Sequence, residues 1–203
     1  MNLVIGSGDI AALLSGKQTK AHQELMQKFV SNEKPYYNAL ESPIDACRIG
    51  AILEDRYLQI TADDCFVQYK ATCEDMNVFT SSLDFATVEG GKVVDFDELK
   101  SIYFTDFIDF IEPNRGSENI DFIKKKFKKY YNQVQCQLIC TGLEEANLVF
   151  LAVYSYDNKE NTSRDIKPNE FIKFRIKRDE DVISVIKERG LIFQQIKDYF
   201  TNK

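Results

Sequence analysis

The chain reads as an α/β (α+β) fold, a central mixed β-sheet flanked by helices. Three observations predict it. Two runs of strand-like residues, Asn77 to Val88 and Val93 to Lys100, meet at Gly90-Gly91, which has the composition of a tight hairpin turn. Apolar residues at helical spacing mark Ile49, Ile52, Leu53 and Leu58 in one segment, and Val182, Ile183, Ile186, Ile192, Phe193 and Ile196 in another. Beyond the hairpin, Leu148 to Tyr156 and Phe171 to Lys177 read as a buried strand and its partner. At 203 residues and 44% hydrophobic content, the chain predicts one domain, 1–203, able to bury its core without disulfides or a structural metal.

Taken in order, Ser7-Gly8-Asp9-Ile10 opens a short helix through Leu14, capped by Ser7 or Asp9 and stopped near Gly16. Lys17 to Phe29 forms a second helix with Ala21, Leu25 and Phe29 on one face, and His22, the single histidine, reads as a surface residue of it. Nothing near His22 supplies a nucleophile and an orienting carboxylate, so hydrolase triads are set aside. Ser42-Pro43 starts the third helix, which runs through Leu58 with Gly50 in mid-helix. A mid-helix glycine costs about 1 kcal/mol relative to alanine, which fits a close approach of another backbone or a ligand. Cys65 to Cys73 alternates as a strand and leads into the hairpin.

After the hairpin, the aromatic-rich stretch Ile102 to Ile111 ends at Glu112-Pro113-Asn114. A segment from Ser117 then enters a long helix running to Cys140, with Phe127, Val134, Leu138 and Thr141 toward the core and Tyr130, Gln133 and Gln137 sharing another face. Asp157 to Pro168 is a polar surface loop, and Asp179 to Phe200 is a closing helix interrupted at Gly190.

The hairpin gathers the chemistry. Strand alternation puts Glu98 and Lys100 on one face, and Asp84 lies a hairpin's length upstream. Two carboxylates beside an ammonium can hold a divalent cation with a water next to it, a plausible centre for cutting phosphodiesters. The net charge of −6 works against nucleic-acid binding, yet Lys124, Lys125, Lys126, Lys128 and Lys129 pack five lysines into six residues. Arg164, Lys167, Lys173, Arg175, Lys177 and Arg178 form a second basic region. Such runs also occur as ordinary solvated faces.

The five cysteines are scattered and contain no C-x-x-C pair, the pattern of reduced thiols in a cytoplasmic setting. Cys136 and Cys140 stand one helical turn apart and read as packing residues or as a pair able to meet. No apolar run approaches the roughly 20 residues needed to span a bilayer, and Met1 to Gly16 lacks the basic start of a secretory signal.

The arrangement D-x(13)-E-L-K, Asp84 to Lys100, resembles the PD-(D/E)XK nuclease superfamily. Ile49-Gly50-Ala51-Ile52-Leu53-Glu54 resembles the Gly-x-x-x-Glu helix of its phage lambda exonuclease and YqaJ-type viral recombinase branch. Tyr130-Tyr131-Asn132-Gln133-Val134-Gln135-Cys136-Gln137-Leu138 resembles that branch's Y-x-x-Q-V-Q-x-x-L helix. The absence of clustered cysteines sets the chain apart from the superfamily's iron–sulfur members.

The resemblance implies a restriction-endonuclease-like core in which Glu54, Asp84, Glu98 and the carbonyl of Leu99 hold one or two Mg²⁺ ions, with Mn²⁺ a substitute. Lys100 would position the attacking water or offset developing charge, and Gln133 would orient water or phosphate. Without the resemblance, Glu54 reads as an ordinary exposed helix glutamate. The implied DNA contacts are Ser7, Ser82, the five lysines and Tyr130. The implied activity is 5′-to-3′ exonuclease action on double-stranded DNA ends, in a trimeric ring that hands its product to a single-strand annealing protein in phage-type recombination.

The chain departs from the pattern in three places. Leu83 stands where a proline often precedes the first aspartate, Gly8 stands where the branch carries a serine, and no arginine is placed to hold a 5′-phosphate. A restriction- or repair-type endonuclease, or a catalytically idle DNA-binding protein with the same fold, are the competing readings.

Overall fold

The computed structural model describes residues 3–31, 45–61, 65–157 and 164–202. Six strands form one mixed sheet: β1 (Ile5–Gly6), β2 (Cys65–Thr72), β3 (Phe79–Glu89), β4 (Lys92–Tyr103), β5 (Glu145–Val153) and β6 (Phe171–Lys177). The helices that cover it are α1 (Ile10–Leu13), α2 (Lys20–Ser31), α3 (Asp45–Thr61), α4 (Asp121–Lys126), α5 (Lys128–Thr141) and α6 (Glu180–Thr201). The fold class predicted from patterning is the one observed.

Strands β3 and β4 form the foreseen antiparallel hairpin, and both turn glycines have positive φ, 56° at Gly90 and 80° at Gly91, which a side chain would strain. Their ladder stops at Phe85 opposite Asp97. From Asp97 onward β4 pairs with β5, in parallel, through Tyr103 and Val153. The two strands of the hairpin therefore fork. Thr80 of β3 pairs with Gly6 of β1 and with Thr72 of β2, so β1 lies on the β4 side of β3 and closes the far end of the fork.

Each face of the sheet has its own core. On one, α5 lays Tyr131, Val134 and Leu138 against Leu83, Phe96, Phe150 and Phe174. On the other, α3 packs Ile49, Leu53 and Tyr57 against Phe85, Leu99, Val149 and Leu151. A third cluster joins α1, α2 and α6 to the outer side of α5 through Ile10, Leu25, Phe29, Cys136, Ile186 and Phe193. Helix α5 is thus covered on two sides, and nine of its residues are buried, including Asn132, Gln135 and Gln137. Cys73, Cys136 and Cys140 are buried free thiols, in keeping with packing roles.

Several expectations are corrected. The long helix breaks at Phe127, whose backbone leaves helical geometry (φ −113°, ψ 32°) so that its ring can pack on Phe150 at 4.8 Å while the lysines on either side stay exposed. Residues Ser7–Asp9 form a 3₁₀ turn, and neither Ser7 nor Asp9 caps α1; Asp9 instead pairs with Lys28 at 3.0 Å. His22 is buried, edge-on to Phe193, rather than on the surface. Helix α6 runs unbroken through Gly190, and Ile192 faces solvent. At Gly50 a Cβ would meet Ser101 Oγ at 3.7 Å, an ordinary contact, so no neighbour among the described residues requires glycine there. The Ser42-Pro43 helix start lies outside the described residues.

Candidate active site

The fork between β3 and β4 decides where the acidic groups stand. Once β4 leaves β3, the backbone N–H of Leu99 has no strand partner on that side, and it donates to Asp84 Oδ2 at 2.9 Å. In an extended strand the carbonyl of a residue points to the same side as its N–H, so the Leu99 carbonyl also opens toward Asp84. The Leu99 side chain points the other way, into the α3 core.

Asp84 is also held from the opposite side. Gln68 of β2 donates its Nε2 to Asp84 Oδ1 at 3.2 Å and accepts the Ser82 hydroxyl at 2.7 Å. Gln68 sits at φ +53°, the one described non-glycine residue with positive φ, at the point where the β2–β3 register skips a pair. Leu83 and Phe85, two residues apart, pack into opposite cores, so β3 turns over at Asp84. Strain of this kind concentrates at functional positions.

Glu98 is buried beneath α5. Its Oε1 accepts from Lys100 Nζ and from Gln133 Nε2 at 2.5 Å, while its Oε2 accepts from Gln137 Nε2. Gln133 and Gln137 stand one helical turn apart, which lets one helix face clamp one carboxylate. Gln135, on another face, bonds the Lys177 carbonyl and the Asp179 N–H, bracing α5 against the junction of β6 and α6. The glutamine foreseen as a water or phosphate ligand is therefore a carboxylate clamp in this structure.

Burial pushes the Glu98 carboxyl up to about 7, against the pull of Lys100 and with repulsion from Asp84 adding to the rise. Glu54 of α3 is also raised to about 7, first by burial and then by Asp84. Asp84 shifts upward for the same first reason, burial, opposed by Lys100 and by the Leu99 and Gln68 hydrogen bonds. Burial disfavours the Lys100 ammonium, but Glu98 and Asp84 outweigh it and hold the group cationic. Three acids thus face one ammonium. Among the described residues no three carboxylates already surround a common point, because the Glu98 oxygens are taken by amides and ammonium.

Ser7, Ser82, Asp84, Glu98, Lys100 and Gln133 line one cleft of about 610 Å³, bordered by Gly6 and Gly8. No protein-family model and no curated protein sequence matches this chain. Solved structures do. An alkaline exonuclease, LHK-Exo from Laribacter hongkongensis, is similar over 99% of this chain and 93% of its own, with a TM-score of 0.63 at 17% identity, and its complex with dAMP gives the same figures. A phage-related exonuclease from Haemophilus somnus is similar over 100% of this chain and 96% of its own, with a TM-score of 0.58 at 16% identity. The chain shares the fold of these two proteins. The likeness foreseen to the PD-(D/E)XK viral recombinase branch is borne out in architecture.

On this fold the foreseen DNA-contacting residues divide. Lys125 and Lys128 are exposed, whereas Lys124 pairs with Asp179 at 2.9 Å and lies over the Tyr131 ring. Lys126 lies over Phe110, 3.8 Å from Asp106. Lys129 lies over Tyr130, and Lys100 reaches the same ring. The second basic region is largely consumed by ion pairs. Arg164 joins Asp157 and Glu170, Lys173 joins Asp97, Arg175 joins Asp95 and Glu145, and Arg178 joins Glu180. Gln68 went unforeseen, since a glutamine in an alternating strand gives no sign of the irregularity that aims it at Asp84.

Proposed function

We propose that this chain is a metal-dependent deoxyribonuclease that hydrolyses phosphodiester bonds from the ends of double-stranded DNA, in the 5′-to-3′ direction. The observation that carries the reading is the fork itself: Asp84 anchored on the Leu99 N–H, with Glu98 and Lys100 on the adjoining strand and Glu54 close enough to feel the charge of all three. The exonuclease fold supports the same class of reaction.

The donor set suits a hard divalent cation such as Mg²⁺. It offers oxygens only, it has three acids to one ammonium, and burial holds its carboxyls above their usual range. Asp84, Glu54 and the Leu99 carbonyl would hold the ion, with Glu98 joining if its amide clamp yields. When bound, such an ion lowers the pKa of a water and offsets charge on the phosphate. Lys100, cationic and half-buried beside Glu98, presents its ammonium toward the cleft to orient that water or stabilise developing negative charge. Gln68 and the Leu99 N–H hold Asp84 in place for the ion, while Gln133 and Gln137 hold Glu98 until their clamp yields. The reading extends to a ring of three copies and an annealing partner for the exposed strand.

Incubation of the wild type and Lys100→Ala with Mg²⁺, linear duplex and covalently closed circular DNA tests the reading. Loss of linear DNA alone, abolished by the substitution or by chelator, is the expected result. Cutting of circles would replace it with an endonuclease, and no cutting of either substrate would overturn catalysis.

A further inference from the structure

Beside the cleft, on the far side of Lys100, lies a second cavity of about 320 Å³. Its lining is apolar at Ile102, Phe127 and Val153, which close the ends of β4 and β5 against the start of α5. Two aromatic rings, Tyr103 and Tyr130, also face it. Tyr103 is 63% exposed, so its ring is open to a flat partner. Lys126 and Lys129 line the cavity too, with Asp106 near Lys126.

The cavity lies next to the proposed chemistry. Ser101, which lines it, follows Lys100 in the chain, and the Lys100 ammonium lies 5.6 Å from the centre of the Tyr130 ring. The Lys129 ammonium lies 4.9 Å from the same centre. A polymer whose phosphate rests near Lys100 would therefore pass its next unit over Tyr130. The combination of an aromatic ring, an apolar floor and ammonium groups is what binds a nucleotide without regard to its base. A pocket of this volume admits one base with its sugar and excludes a duplex, whose base faces are covered by their neighbours.

We propose that this cavity receives one unstacked nucleotide of single-stranded DNA, its base on Tyr103 and its phosphate at Lys129. The site rests on the nuclease reading and adds to it a place for the strand next to the cut. It also gives a role to an aromatic ring that stands exposed at the end of β4.

The test uses the full chain with Ca²⁺, so that binding is read without turnover, and a short oligonucleotide carrying 2-aminopurine. Wild type and Tyr103→Phe are expected to bind it and quench the base, and Tyr103→Ala to bind roughly 5- to 150-fold more weakly. Lys129→Gln should lower the slope of log affinity against log salt by about 0.7. Tyr103 is exposed, so matched melting curves confirm that the variants fold. If the wild type digests linear duplex while Tyr103→Ala binds the oligonucleotide within about twofold of it, the subsite is overturned and the nuclease reading stands. An equal loss of affinity for blunt duplex would overturn the requirement for an unstacked base. A wild type without nuclease activity would overturn the reading beneath, separately from the binding result.

Discussion

Replacing Gly190 by alanine sets two effects of opposite sign against each other. Helix propensity favours alanine in the middle of α6 by about 1 kcal/mol. Sterics oppose it: the new Cβ would lie 2.3 Å from Phe79 Cζ and 2.7 Å from Cε2. Carbon atoms settle at about 3.5–4.0 Å, so the overlap exceeds about 1 Å on a ring with little freedom to turn away. Phe79 is fully buried, and its backbone is pinned where β1 pairs with β3. Overpacking of this kind costs about 1–3 kcal/mol, and the severity of the overlap puts the cost at the top of that range. The net expectation is a loss of about 2 kcal/mol, which for a chain of this length lowers Tm by roughly 4–8 °C. Urea unfolding should show a lower midpoint with an unchanged slope. Phe79→Leu, which removes the overlapping ring carbons, should make the double variant more stable than the sum of the two single losses implies. A Gly190→Ala protein as stable as the wild type, or more so, would refute the reasoning, because propensity would then have won.

Glu98 carries a pH dependence. Because its folded carboxyl is raised to about 7 from an ordinary value of 4.5, the stability it confers is complete below the unfolded value and is lost as pH rises through the folded one. In chelator, then, wild-type stability should fall relative to Glu98→Gln between about pH 4.5 and pH 7, by up to about 3 kcal/mol, and a rising difference in urea titrations would contradict this. Gln68→Gly relieves a left-handed backbone while deleting the hydrogen bonds to Asp84 and Ser82. Unfolding free energy should move by less than about 1 kcal/mol while kcat on linear duplex falls roughly 10- to 100-fold; an unchanged kcat would remove Gln68 from the site.

What was legible in the sequence is what depends on local periodicity. Strand alternation placed Glu98 and Lys100 on one face, and Gly90-Gly91 marked the turn that brings Asp84 back beside them. Phe171 to Lys177 was read with its observed bounds because its alternation is unbroken. What was not legible depends on partners distant in the chain. Asp179, Asp97 and Asp95 lie far from Lys124, Lys173 and Arg175 along the chain, so charges that looked available to phosphate are in fact neutralised. Gly190 looked like a helix breaker because its reason for being glycine, Phe79, lies more than a hundred residues away. The clamp on Glu98 was half visible: Gln133 and Gln137 were seen to share a face, but nothing local said that the face meets a buried carboxylate.

Helix α5 also acts as a ruler. Its first turn carries Lys128, Lys129 and Tyr130, and its next two turns grip Glu98 through Gln133 and Gln137. The separation between what the first turn holds and the carboxylate is therefore set by helical rise, 1.5 Å per residue, and by nothing that a loop could absorb. One residue inserted after Tyr131 would rotate the two ends by about 100° relative to each other without altering any side chain of the site. Spacing along this helix is for that reason as much a part of the cleft's geometry as the residues it spaces.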